Sequence, residues 1–431
     1  MHIPIALGKA ITKVSQTFNL GSGSTWPGEI ALSLDANFLN NLSKKNPHLK
    51  IVLVAGTNGK TTTTKLTQEV LERQNYRVFR NEAGANLING IASSFVYRAD
   101  IFGKISYDVA LFEIDENSLP RILEHITPFA IILLNLFRDQ LDRYGEVNTI
   151  AEKWQEALKK LPKETLLVTN GDDPMLRFIG EKSNLHVSYF GIDEKLMDKK
   201  NAPHDVDFLY CPKCKTKLEF IKRSYSHMGI YKCPKCGFRH AKTSTFNSLP
   251  NPMFGLYNKY NINAASLLLQ NGFGVNLKTI ELGITNFDPA FGRQERIIYK
   301  GKNIFLLLSK NPASFNQSIQ AIIEQDKNPN VLLLLNDRIP DGRDVSWIWD
   351  VEFEELKNAY YVTISGDRAY DMGVRIKYCD IPDSKFQIHD ILTEAIIVAA
   401  SRLETDQTLY ILATYSAMLD VRKILKGRKI L

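Results

Sequence analysis

Apolar positions recur with two different periods along this chain, and the places where the period changes outline its elements. Residues 3–18 put Ile3, Leu7, Ala10, Ile11, Val14 and Phe18 at helical spacing, with Lys9, Lys13 and Gln16 off that stripe, which predicts an amphipathic helix. Gly21 to Gly28 is rich in Gly, Ser and Pro and reads as a loop, and a second helix runs from there through about Ser43. From Ile51 onward, short apolar runs at 51–55, 76–80, 108–114, 130–136 and 165–169 alternate with helical patterns. That alternation predicts a parallel sheet with helices on both faces. Ligands of such a sheet gather beyond the carboxyl ends of its strands, so the residues just after each strand carry the most functional weight. The alternation restarts at 297, with strands at 303–309, 331–336, 360–365 and 408–413 and helices at 314–325 and 388–402, which predicts a second, smaller doubly wound domain.

Length and charge refine this picture only slightly. A chain of 431 residues is too long for one ordinary core, so several domains are expected. The net charge of +7 suits phosphorylated ligands or a membrane surface and does not demand nucleic acid. No apolar run approaches the roughly 18 residues of a spanning helix, and Lys9 and Lys13 interrupt any signal-like stretch, so a cytoplasmic protein is expected. A basic amphipathic first helix is also compatible with peripheral contact at the membrane face.

The densest chemistry lies in Ile51 to Thr64, IVLVAGTNGKTTTT. A buried strand, a turn through Ala55 to Asn58, Gly59 and a Thr-rich helix starting at Lys60 would aim backbone N–H groups and a helix dipole at one spot, a polyphosphate cradle. Lys60 would reach the β- and γ-phosphates and the Thr61 hydroxyl would ligate Mg²⁺. The spacing departs from the generic phosphate loop, since Val54 stands five positions before Gly59. The run DVALFEID places Glu113 and Asp115 at a strand exit, where a carboxylate facing the loop would hold Mg²⁺ directly or through water.

Two CPKC pairs, Cys211/Cys214 and Cys233/Cys236, have the spacing of zinc-ribbon knuckles, and four thiolates leave no open coordination position. A structural zinc would therefore fold a segment, roughly 204–243, that has too little core of its own. Lys213, Lys215, Lys217, Lys222 and Arg223 in this segment would also suit nucleic acid, although nothing else in the chain reads it. Cys379 stands alone, so a disulfide framework is not expected. Asn336 to Asp350, NDRIPDGRDVSWIWD, collects four aspartates and two of the chain's four Trp after a strand, a composition more typical of an interface than of a core.

The loop Gly56-Thr57-Asn58-Gly59-Lys60-Thr61-Thr62 resembles the ATP loop of the Mur ligase superfamily, enzymes that activate a carboxylate as an acyl phosphate for attack by an amine. The similarity runs along the whole chain. It implies ATP and Mg²⁺ as cofactors, ATP contacts from all seven loop residues, Glu113 as the metal-binding glutamate beside Thr61, and Asn86 close to the γ-phosphate. Asn258 and Asn261 in GLYNKYNINAA match the segment that meets the adenine, though alone they would read as a helix start. Arg293 of FGRQER matches an interdomain hinge arginine on the nucleotide. TLLVTNGDDP, at 165–174, resembles another strand and turn of the family.

There are departures. Gln140 replaces a family His, Lys153 is the only counterpart of a carbamylated lysine, Lys310 replaces the His of a His-Asn-Pro motif, and Leu307 stands where the family has an acid for the ribose. The second metal, the modified lysine and ribose recognition therefore stay open.

These departures, the Cys₄ insertion and the Trp–Asp segment together fit the branch that supplies the synthetase subunit of lipid II isoglutaminyl synthase. That likeness implies amidation of the D-glutamate α-carboxylate of the lipid II stem peptide, with ammonia from a GatD-type glutaminase partner. It also implies that Asp344 or Asp350 completes the partner's active site, beside Lys60 and Glu113 as catalytic groups of this chain. The expected domains are an N-terminal helical segment at 1–50, an ATP-binding domain at 51–295 and an α/β domain at 296–431. Two other readings predict different behaviour: a stand-alone amino-acid ligase would need no partner, and a nucleic-acid module would bind with steep salt dependence.

Overall fold

The computed structural model describes residues 2–17, 25–81, 85–139, 147–197, 205–287, 293–404 and 406–427. Strand β1 (Lys50–Ala55) lies inside a six-stranded sheet and is flanked by β3 (Val109–Ile114) and β4 (Ala130–Leu133). β2 (Val78–Arg80), β5 (Leu166–Asn170) and β6 (His186–Phe190) complete the order β2-β3-β1-β4-β5-β6, with every pairing parallel. Period-two alternation splits β1 between two cores. Ile51, Leu53 and Ala55 enter one, with Ile91 and Phe95 of the Ile88–Arg98 helix and Trp154. Val52 and Val54 enter the other, with Leu66, Val70 and Leu268. Both faces are thus covered, as expected of a doubly wound sheet.

The N-terminal helices belong to the first core, through Ile5, Ala31, Phe38, Leu39 and Leu42. Gly28 permits this approach, because a Cβ there would lie 1.9 Å from Asn89 O. The expected second helix is broken in two, Trp26–Leu34 and Phe38–Lys45. Asp35 goes extended and its Oδ1 accepts from Asn37 N–H at 2.9 Å, an Asx turn that competes with helix. Residues 18–24 of the preceding loop lie outside the described part. Among the described residues no helix is long and apolar enough to cross a membrane.

The hairpin β7 (Glu219–Arg223) and β8 (Gly229–Lys232) lies between β6 and the Leu256–Phe273 helix. The second six-stranded sheet has the order β13-β12-β11-β14-β10-β9. Its strands are β9 (Arg293–Tyr299), β10 (Lys302–Leu308), β11 (Asn330–Leu334), β12 (Tyr361–Ser365), β13 (Phe386–Ile388) and β14 (Thr408–Ala413). All its pairings are parallel except β9 with β10. Those two meet through Lys300 (φ 48°) and Gly301 (φ 77°), the two positive-φ positions of a type I′ hairpin. The sheet therefore starts at Arg293, inside the stretch expected to close the preceding domain. Periodicity misses β6, β9 and β13. β6 is a partly exposed edge, β9 alternates charge with apolar residues, and β13 has three residues.

Candidate active site

The carboxyl ends of β1 and β10 converge on one interdomain cleft. After β1 the chain turns at Gly56 (φ 144°) and Gly59 (φ 90°) before the Lys60–Arg73 helix. A Cβ on Gly59 would lie 2.1 Å from Asn261 Oδ1, and one on Gly56 would lie 2.9 Å from Leu134 Cβ. Only glycine fits either position. The loop is templated by the residues that leave β4. Asn135 Oδ1 accepts from Asn58 N–H at 2.8 Å while Asn135 Nδ2 donates to Asn58 O at 2.9 Å. Thr57 Oγ1 accepts from Phe137 N–H at 3.0 Å.

Lys60 is 9% exposed, and its ammonium donates to the Gly56 and Thr57 carbonyls inside the loop. Glu116 lies 3.4 Å from it. Burial pushes the Glu116 carboxyl up, but Lys60 and Lys310 together hold it below the usual carboxylate range. Lys310, from the second domain, is ion-paired with buried Asp139. Burial raises the Asp139 carboxyl, with Lys310 opposing and Glu116 adding to the rise. Two lysines and two carboxylates thus meet across the domain boundary.

Thr61 Oγ1 donates to Glu113 Oε2 at 2.7 Å, and Thr64 Oγ1 donates to Glu113 Oε1 at 3.0 Å. Asn81 Oδ1 holds the Glu113 backbone N–H at 2.9 Å. A hydroxyl and a carboxylate side by side at the helix start are the hard oxygen donors that suit Mg²⁺. Asp115, the other acid at this strand exit, accepts from Asn117 N–H at 3.1 Å, a local turn contact. Asn86 stands nearby, its carbonyl accepting from Asp115 N–H at 3.1 Å.

A pocket opens beside the loop, lined by Asn58, Gly59 and Thr62 on one side and by Tyr225, Asn258, Asn261 and Leu307 on others. Asn261 Nδ2 donates to Asn258 Oδ1 at 3.2 Å, so the two asparagines named from sequence act as a pair. Gln294 closes the pocket, donating to Phe254 O at 2.6 Å and to Tyr257 Oη at 2.7 Å. Arg293 opens β9, but its side chain lies outside the described residues, as does Gln140. Lys153 is on an exposed helix face with its ammonium 3.5 Å from Asn117 Oδ1.

A second pocket in the cleft is lined by Arg138, Asp139, Lys310, Asp344, Trp347 and Asp350. Asp350 pairs with Arg138 at 3.2 Å, and Arg138 also pairs with Asp207. Asp344 is exposed and its Oδ1 accepts from Ser346 N–H at 2.8 Å, an Asx turn just before the short Ser346–Asp350 helix. The two tryptophans diverge. Trp347 packs on Phe315 with centroids 5.6 Å apart, whereas Trp349 is 48% exposed against Tyr378.

The four cysteine Sγ atoms lie within 4.8 Å of one another. Cys211–Cys236 and Cys214–Cys233 approach to 3.5 and 3.4 Å, close to the about 3.8 Å edge of a tetrahedral zinc–thiolate site. The two knuckles repeat one geometry. Lys215 (φ 59°) and Gly237 (φ 70°) follow the second cysteine of each pair in the left-handed region. Cys211 N–H and Cys233 N–H donate to Thr216 O and Phe238 O at 2.7 and 2.6 Å. This donor set fits zinc.

Comparison with known proteins matches residues 54–269 to the Mur ligase middle domain and 308–418 to the MurT ligase C-terminal domain. The chain is 33% identical to the lipid II isoglutaminyl synthase (glutamine-hydrolyzing) subunit MurT of Streptococcus pneumoniae, over 95% of this chain and 94% of that one. The chain belongs to the MurT family.

The MurT subunit of Staphylococcus aureus strain COL is 31% identical over 88% of this chain and 87% of its own length. Among solved structures, the fold is similar to a type C pseudomurein peptide ligase from Methanothermus fervidus (TM-score 0.63, 20% identity, 88% of this chain and 78% of that one). It is also similar to MurF ligase from Thermotoga maritima in complex with ADP (TM-score 0.63, 16% identity, 92% and 84%). In this MurT-family chain, sequence reasoning singled out the loop, Glu113 and the two asparagines. It missed Glu116, Asp139, Gln294 and Tyr225, which act only through partners distant in sequence. Local signals existed for Glu116, just past a strand exit, and for Gln294, inside the FGRQER segment.

Proposed function

We propose that this chain is the ATP-dependent synthetase subunit that amidates the D-glutamate α-carboxylate of the lipid II stem peptide in peptidoglycan synthesis. The carboxylate takes the γ-phosphoryl group of ATP, giving an acyl phosphate and ADP. Ammonia then attacks the acyl carbon, loses a proton and expels inorganic phosphate, leaving D-isoglutamine. Phosphoryl transfer of this kind needs positioning and charge neutralisation rather than a protein nucleophile. Lys60 supplies charge inside the loop, Gly56 to Asn58 and Thr62 shape the phosphate cradle, Asn86 stands near it, and Arg293 is the counterpart of the family's hinge arginine on the nucleotide. Asn258 and Asn261 offer donors and acceptors to a purine edge. Thr61 and Glu113 would hold Mg²⁺, which when bound neutralises phosphate charge. Zinc on the four cysteines is structural.

The observation that carries this reading is the Lys60, Thr61 and Glu113 constellation at a cleft into which the second domain inserts Lys310. Ammonia comes from a glutaminase partner of the GatD type. Trp349, Tyr370 and Tyr378, exposed on the second domain, suit that partner's surface. Asp344 and Asp350 are both candidates to enter the partner's site; Asp350 shares its pocket with Arg138, Asp139 and Lys310 at the domain boundary. Lys213 and Lys222 are paired with Glu181 and Glu194, which weakens a nucleic-acid reading of the ribbon. A lipid-linked acceptor would meet the chain at a membrane surface, and exposed Ile3, Leu7, Ile101 and Phe102 near Lys9 and Lys45 suit that contact.

The test supplies the chain and its glutaminase with lipid II, glutamine and ATP. ADP and amidated lipid II should form together, and Lys60→Ala should reduce both by orders of magnitude. Failure of the complete mixture to split ATP would overturn the reading.

A further inference from the structure

The Cys₄ insertion is more than an appendage. Its own core is small, built on Cys211, Leu218, Tyr231, Cys233 and Phe238. Yet the far end of its hairpin, Ser224 to Met228, is buried in the central domain, every residue at 4% exposure or less. The turn is closed by Ser224 N–H donating to Met228 O at 3.0 Å. It is gripped by the turn after β5. Asp173 Oδ2 meets His227 Nε2 at 3.2 Å, and Gly229 N–H donates to the Asp172 carbonyl at 2.9 Å. Asp172 also binds Tyr260 Oη and His240 Nε2, each at 2.7 Å. The NGDDP turn thus serves as the socket of the hairpin.

From this socket the hairpin reaches the pocket beside the phosphate loop. Tyr225 lines that pocket with Asn258 and Asn261, and its ring lies 6.0 Å from Phe137 and 5.6 Å from Tyr260. His227 also touches Phe137, at 5.0 Å between centroids, and the Phe137 backbone N–H is held by Thr57 of the loop. A continuous set of contacts therefore runs from the cysteines through the hairpin to the nucleotide cradle.

We propose that the Cys₄ hairpin is a working part of the nucleotide site, with Tyr225 as the aromatic wall of the purine pocket and metal at the four cysteines fixing that wall in place. This rests on the nucleotide reading above. A base against an aromatic wall loses roughly tenfold or more in affinity when the ring is removed. If metal occupancy positions the wall, linkage requires that nucleotide and metal strengthen each other's binding by the same factor.

The experiment uses the full-length, metal-loaded chain and ADP as probe. Tyr225→Ala should weaken ADP binding about tenfold or more while zinc content stays at one per chain, and Tyr225→Phe should stay within twofold of the unmodified protein. Saturating ADP should tighten zinc binding, read at equilibrium as a smaller share of zinc lost to a competing chromogenic chelator, a measurement made on folded protein throughout. Unchanged ADP affinity in Tyr225→Ala, or a zinc affinity indifferent to ADP, overturns the proposal. An unmodified chain that fails to bind ADP would instead sink the nucleotide reading itself.

Discussion

Lys310 of the second domain forms an ion pair with buried Asp139 of the first, beside the Lys60–Glu116 pair. The closed cleft is thus fastened by a four-charge cluster in which each cation faces a carboxylate, and removing one member leaves a buried charge uncompensated.

Lys310→Met should therefore destabilise the chain by about 2–3 kcal/mol at pH 8, the buried-pair cost reduced for a lysine side chain that is 26% exposed. Burial already holds the Asp139 carboxyl above its ordinary value, and loss of Lys310 raises it further. A carboxyl with a raised folded pKa loses stability as pH climbs through the shift, so the penalty shrinks as pH falls and the Asp139 carboxyl takes up its proton. Denaturant midpoints at pH 5 and pH 8 check this; an equal loss at both would contradict it.

Gly59→Ala places a Cβ 2.1 Å from Asn261 Oδ1 at a φ of 90°. Backbone strain of about 1–2 kcal/mol adds to the displacement of Asn261, proposed above to meet the purine, so ADP affinity should fall more than tenfold. Gly274→Ala, at φ 66° with open space around it, should carry the backbone cost alone and leave ADP affinity unchanged. Calorimetric titration of both variants separates the two effects.

Burial pushes Asp205 up to about 6, with Glu352 and Asp207 adding to the rise and Asn316 and His227 opposing it. A folded pKa above the unfolded value means that the ionised side chain costs stability, and the cost builds between pH 4 and 6 and is complete above that range. Asp205→Asn should then stabilise the chain by roughly 2 kcal/mol at pH 8 and by little at pH 4. Thermal melts across that range give the measurement, and a gain independent of pH would refute the assignment.

Trp349 and Trp347 should behave oppositely. Trp349→Ala removes an exposed ring and should leave the melting temperature nearly unchanged while weakening glutaminase association by ten- to a hundredfold. Trp347→Ala takes away the ring packed on Phe315 and should cost about 3 kcal/mol. Sedimentation of the mixed subunits beside melting curves distinguishes them.

Asp350→Asn should abolish most glutaminase turnover in the assembled complex, whereas Asp344→Asn, whose amide oxygen can still accept from Ser346 N–H, should leave it largely intact. Glutamate release from glutamine reads this directly; the reverse order would assign the role to Asp344.

Much of this architecture was legible in the sequence because its strongest signals are local. The run from Ile51 to Ala55 is apolar on both faces, and the next turn needs two glycines and presents a lysine and threonines in one short stretch. The paired cysteines announce themselves in the same way, through spacing. What stayed hidden depends on chain segments far apart. Lys310 meets Asp139 across 171 positions and Tyr260 meets Asp172 across 88, and no periodicity encodes such meetings. The antiparallel strand β9 was obscured because RQERIIY mixes charge into its alternation, and the edge strand β6 because one face of it meets solvent. Tyr225 falls inside the expected zinc segment, and nothing near it in sequence tells that the hairpin turns back into the main domain.

Gln294 sits in the left-handed region at φ 61° and grips Phe254 through both its amide oxygen and its amide nitrogen, while also reaching Tyr257. Phe254 lies two residues before the helix that carries Asn258, so the strand entering the second sheet is tied to the Asn258–Asn261 side of the cleft. A swing of the second domain away from the first must either break three hydrogen bonds or pull that helix start with it. Opening of the cleft is thereby geared to one hinge, and on the nucleotide reading proposed above so is release of spent nucleotide.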